Sequence, residues 1–186
     1  DDDQLKGSEV GKKIFQTNLY HYAGVGHLVM DYEKLMKNGF DGFIREAEAK
    51  LAALSKADPD YADKRDFYKA MIISHEAAKK YIARYADLAD ERASAETDPA
   101  RKQELETMAA NCRQIAGGPA KTFWQALQLF NFATTLTQIE GNGHSISYGR
   151  MDQWLWPYYE ADIREGRISK DFALELIEVV YVKMNN

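Results

Sequence analysis

The chain has 186 residues, 45% hydrophobic and 28% charged, with a formal net charge of -5 and a pI near 5.4. That composition excludes a disordered chain and a disulfide scaffold, and Lys and Arg are scattered rather than gathered into a phosphate-neutralising stripe, so nucleic acid is not an expected partner. One cysteine, Cys112, allows no intrachain disulfide and no CxxC metal spacing; with no apolar run of about 18 residues and an acidic start, the chain reads as soluble, unexported and cytoplasmic.

Ile14 to Met30 is rich in aromatic residues and glycine, with Gly24 and Gly26 on either side of Val25 just before His27, and reads as irregular or partly extended chain. Asp31 is placed to cap a short helix through Asn38, because its carboxylate can accept from the unpaired amides of a first turn, and Gly39 supplies a left-handed stop. A second helix is expected from about Asp41 to Leu54.

From about Asp60 to Glu96 the residues Phe67, Met71, Ile72, Ala78, Ile82, Tyr85 and Leu88 recur at three-and-four spacing, which predicts one long helix with that face buried. Asp98-Pro99 opens the next helix, since proline at the first helical position gives up only an amide that would be unpaired anyway. Its core face is Leu105, Met108, Cys112 and Ile115, and Gly117-Gly118-Pro119 ends it.

Thr122 and Gln125 form a capping-box pattern. The helix they open is apolar on nearly every face, through Phe123, Trp124, Leu127, Leu129, Phe130, Phe132, Leu136 and Ile139, and belongs inside a large protein. Gly141 and Gly143 break it, and His144 to Tyr148 alternates like a short strand before Gly149. Asp152 to Glu165 reads as a helix in which Pro157 marks a kink or restart. Ser169 caps a last amphipathic helix that buries Phe172, Leu176, Val179, Val180 and Met184. No internal repeat or low-complexity linker is present, and the fold class is mainly α with a few short strands.

Among chemistry-bearing residues, Cys112 sits on the apolar face of its helix and belongs to the core. Arg150 and Asp152 lie at a turn-to-helix transition and read as architectural. Asp31 and Glu140 are far apart in sequence and give no geometric support for an acid-base pair, and His21 and His75 have weak claims. His27, in a Gly-rich loop, reads either as a structural hydrogen-bonding residue or as a proton relay, the role to which imidazole is suited near neutral pH.

Three stretches carry a family likeness: Gly26-His27 with Asp31-Tyr32-Glu33-Lys34; Pro119-Ala120-Lys121-Thr122-Phe123-Trp124-Gln125-Ala126-Leu127-Gln128; and Ile139-Glu140-Gly141-Asn142-Gly143-His144-Ser145-Ile146-Ser147-Tyr148-Gly149-Arg150-Met151-Asp152-Gln153. In that order, from about Phe15 onward, the chain resembles the pyruvate formate-lyase-like domain of glycyl radical enzymes, in the dehydratase and lyase branch that holds glycerol and propanediol dehydratases. The resemblance implies a ten-stranded α/β barrel wrapped by helices, with a catalytic cysteine loop and a glycine-radical loop entering from opposite sides. It implies that residues 1–186 are the first part of that barrel, without either loop, and inert alone. No cofactor would be bound in this segment. The glycyl radical would sit on the absent C-terminal part, installed by a radical SAM activating enzyme, in a homodimer acting on a small-molecule substrate, with neither nucleic acid nor membrane as partner.

The resemblance also places His27 in the substrate pocket as a catalytic residue near a substrate hydroxyl, with His144 and Ser145 as substrate-binding hydrogen-bond partners and no metal. The histidines are 117 residues apart, 144 less 27, a spacing of the size shown by dehydratase-type members. It therefore implies that His27 lies beside the His144-Ser145 strand, facing one cavity. Such hydrogen-bonding groups favour a polyhydroxylated substrate and make dehydration the leading reaction. The alternatives are another glycyl radical lyase cleaving C-S, C-N or C-C bonds, a formate acetyltransferase, or a non-catalytic helical scaffold if the natural chain ends at Asn186.

Overall fold

The computed structural model describes residues 26–184. His21, Gly24 and the whole of the aromatic stretch before Gly26 lie outside the described residues. The order is β1 (Leu28–Val29), α1 (Tyr32–Ala53), α2 (Tyr61–Ala95), α3 (Pro99–Gly117), α4 (Phe123–Glu140), β2 (Ile146–Ser147), α5 (Met151–Arg164) and α6 (Lys170–Met184). As the patterning predicts, the described residues are mainly helical, and their two short strands pair in parallel.

The helix starts are where local chemistry puts them. Asp31 accepts from the Lys34 amide at 3.0 Å, Asp98 from the Ala100 amide at 3.1 Å, and Thr122 from the Gln125 amide at 3.2 Å. Ser169 does the same for Phe172 at 3.0 Å. The side chain of Gln125 reaches back to the Lys121 amide at 2.9 Å, so the reciprocal half of the box lands one residue early.

Gly39 (φ 62°, ψ 179°) breaks α1 into the two expected segments. A Cβ there would lie 2.3 Å from the Gly117 carbonyl oxygen, so this glycine provides both the backbone turn and the close approach of the α3–α4 connection. The Ala120 amide then donates to the Met36 carbonyl at 3.0 Å.

The buried face of α2 corrects the sequence expectation. Phe67 is 60% exposed, and Tyr85 and Leu88 are also exposed. The seam is Ala78, Ile82, Ala86, Ala89 and Ala93, at intervals of four, four, three and four. Ala78 and Ile82 are buried as the pattern predicts; the four alanines let α2 lie close along α3, and Tyr85 and Leu88 stand one position off that seam. In α6, Val180 is buried as expected, with Ala173 seven residues before it, whereas Val179 is exposed. In α3, Met108 is only partly buried, and Ala109 and Asn111 join Leu105, Cys112 and Ile115 inside. The helix α5 is continuous through Pro157, with no restart.

The core is built on α4, as its all-round apolarity predicts. Phe123, Leu129 and Phe130 are at most 2% exposed and Phe132 is buried, whereas Ile139, at the end of the helix, is exposed. Full burial of such a side chain stabilises by roughly 1.5–3 kcal/mol. Tyr32 stacks on Trp154 (5.2 Å) and leans on Phe130 (5.1 Å), while Tyr148 meets Phe130 edge-on.

Candidate functional site

The C-terminal half of α4 carries the strand pair. Thr134 exchanges a hydroxyl hydrogen bond with Tyr32 at 3.1 Å, and the Thr137 hydroxyl donates to the Met30 sulfur at 2.7 Å, which ties the exit of β1 to the helix. On the other strand, Trp154 Nε1 donates to the Tyr148 carbonyl at 3.3 Å.

The pairing register is Leu28 with Ile146 and Val29 with Ser147. One step before it, the His27 amide donates to the Ser145 carbonyl at 2.7 Å. His27 has a left-handed backbone, φ 56°, which is uncommon outside glycine, with histidine among the residues that tolerate it. The His27 and His144 rings meet edge to face, centroids 5.1 Å apart and planes at 88°. The structure thus brings together all three residues singled out in the sequence. His27 and Ser145 are exposed and His144 is half-buried; the two imidazoles meet at one end of the strand pair, where Ser145 is held through its backbone carbonyl. Such a group can hydrogen-bond a polyol and pass a proton.

A cleft of about 330 Å³ lies on the same side of α4, lined by Met30, Asp31, Phe43, His75, Thr137 and Glu140 among others. It places Asp31 and Glu140 on one lining, which their sequence separation did not suggest. The lining does not include His27, His144 or Ser145. His75 is committed to structure: its Nδ1-H donates to the Met71 carbonyl at 2.6 Å and its ring stacks on Phe43 at 5.2 Å.

The remaining candidates fall where the sequence reading put them. Cys112 is 3% exposed, accepts from Gln128 Nε2 at 3.5 Å, and its thiol is pushed up to about 11 by burial. Arg150 and Asp152 form an exposed ion pair at 2.7 Å, and each shifts the other toward its charged form. Among the described residues no cluster of three or more His, Cys, Asp or Glu side chains is arranged to hold a metal ion.

Two residues that matter here were missed. Asp162, 1% exposed, accepts from the Phe123 amide at 2.8 Å and from Arg167 Nε at 2.7 Å, so a carboxylate on α5 holds the start of α4. The available signal was a carboxylate seven residues after Leu155 on one apolar stripe. The second is Gly26, at which a Cβ would sit 1.7 Å from His144 Cδ2.

Residues 4–186 match the family model described as pyruvate formate lyase-like. The chain is 72% identical to (2S)-3-sulfopropanediol dehydratase of Klebsiella oxytoca over 99% of this chain and 22% of that protein. It is 47% identical to isethionate sulfite-lyase of Nitratidesulfovibrio vulgaris over 84% of this chain and 19% of that protein. The glycerol-bound B12-independent glycerol dehydratase of Clostridium butyricum superposes with a TM-score of 0.84 at 44% identity, covering 89% of this chain and 21% of that one. The chain thus spans about a fifth of the length of these relatives.

Proposed function

The chain belongs to the pyruvate formate lyase-like family of glycyl radical enzymes, and we propose that it supplies substrate-pocket residues to a radical dehydratase of a small polyhydroxylated substrate. The observation that carries this reading is the convergence of His27 with His144 and Ser145, 117 residues apart in sequence, at one parallel strand pair. His27 relays a proton to the departing hydroxyl, and His144 and Ser145 orient the substrate by hydrogen bonds. The catalytic cysteine loop and the radical glycine lie outside residues 1–186, and a radical SAM activating enzyme installs the radical. That radical supplies hydrogen-atom abstraction next to the bond to be broken. The complete enzyme is a cytoplasmic homodimer.

Identity of 72% to a sulfopropanediol dehydratase supports a sulfonated propanediol as the first substrate to try. Dehydration converts the vicinal diol to an aldehyde plus one water and leaves the sulfonate on carbon. A second reading, C-S cleavage, is favoured by the 47% identity to a sulfite-lyase, and it would release sulfite instead. Incubating the activated full-length enzyme with (2S)-3-sulfopropanediol, glycerol and 1,2-propanediol separates the two. Aldehyde with retained sulfonate is the expected product; sulfite release moves the assignment to the second reading, and turnover of none of the three defeats the dehydratase reading.

A further inference from the structure

The strand pair is built around a missing side chain. Gly26 faces the His144 imidazole so closely that a Cβ would fall 1.7 Å from Cδ2, 2.6 Å from Cγ and 2.8 Å from Nε2, against an ordinary contact of 3.4 Å or more. To admit a methyl group either the ring or the backbone at residue 26 has to retreat by about 1.7 Å, 3.4 less 1.7.

The backbone is held on the C-terminal side of residue 26. The next residue, His27, is pinned by its 2.7 Å amide bond to Ser145, is turned left-handed at φ 56°, and enters the Leu28–Ile146 pairing at once. The imidazole turns on two side-chain torsions, and a Cβ at residue 26 would shift it at the expense of the contacts it makes now. Alanine there acts on the ring through what its Cβ touches.

We infer that Gly26 is a positioning residue for His144: its lack of a side chain lets the imidazole lie on the 26–27 backbone and meet His27 edge-on. This rests on the reading of His144 as a substrate-binding residue. Substituting Gly26 by alanine displaces the ring while leaving both imidazoles, the ladder and the helices in place. A displacement of an ångström or more at a reacting centre is worth roughly 10²-fold in rate.

The test is a double-mutant cycle in the activated full-length enzyme, with Gly26→Ala, His144→Ala and the pair, reading kcat and KM on the diol substrate and the glycyl radical by electron paramagnetic resonance. The expected result is a loss of roughly 10²-fold in kcat/KM for Gly26→Ala. In the His144→Ala background the same change should have no further effect, because the atom it clashes with is gone. Additive losses in the pair, or full activity of Gly26→Ala beside an impaired His144→Ala, overturn the inference. Full activity of His144→Ala defeats instead the assignment of His144 on which it rests. If Gly26→Ala weakens the radical signal, the pair should recover it; a signal that stays weak marks a structural defect and also overturns the positioning role.

Discussion

The α4 platform and the strand pair resting on it are held by different physics. The platform is held by burial: Phe123, Leu129 and Phe130 are enclosed on all sides, and many neighbours share each contact. The strand pair has two residues in each strand, an exposed Val29, and exposed His27 and Ser145. An isolated two-stranded unit is marginal in water, so this one depends on Thr134, Thr137 and Trp154 below it and on the backbone shape at residues 26 and 27. The lesson is that packing tolerates small losses whereas the strand pair depends on placement, so substitutions in the two regions should fail in different assays.

The largest effect should appear where stability is least involved. Replacing His27 with Ala in the activated enzyme should lower turnover roughly 10² to 10⁴-fold while the radical signal and the unfolding midpoint stay put. Retained turnover would make His27 structural and erase the contrast. On the other side, Phe130→Ala should reduce stability by about 3–5 kcal/mol in urea unfolding. A loss below about 1 kcal/mol would show that α4 is not the core.

Asp162→Asn sharpens the comparison, because its carboxylate is buried but its partner Arg167 is half exposed. Asparagine keeps an acceptor for the Phe123 amide and loses the charge, so a stability loss of about 2 kcal/mol is expected, short of that for breaking a fully buried pair. Equal stability of the two proteins would mean that the amide contact alone matters.

The smallest effect concerns Cys112. Burial holds its thiol protonated up to about 11, above its ordinary value near 9, so the native thiol should resist alkylation at pH 8 and react only on unfolding. The folded-state value is raised, so the associated stability is present below pH 9 and is lost as pH rises through about 11. Rapid labelling of the native protein at pH 8 would place Cys112 at the surface.

What was legible in the chain was local. Asp31, Asp98, Thr122 and Ser169 announce helix starts because a cap bonds within three residues of itself. The seam of α2 was legible only at Ala78 and Ile82; Ala86, Ala89 and Ala93 were not, since alanine signals no face until a partner helix is close enough to need it. Asp162 holds an amide 39 residues away and Gly26 faces a ring 118 residues away, so neither carries its reason in its own neighbourhood. His27, His144 and Ser145 were found by family resemblance; periodicity alone left His27 open between structure and chemistry.

The parallel pairing has a consequence in time. Leu28 and Ile146 are joined by a single excursion that contains α1 to α4, and a parallel register cannot be closed by a tight turn. Bringing the ends of a structureless loop of that length together costs about 4 kcal/mol of chain entropy. Four short ladder residues return little against that. Docked helices shorten the effective loop, so the helices are expected to assemble first and the ladder to zip last. In a refolding experiment helical signal should therefore precede protection of the His27 amide. A chain caught midway would be ordered through its helices while its two histidines had yet to meet.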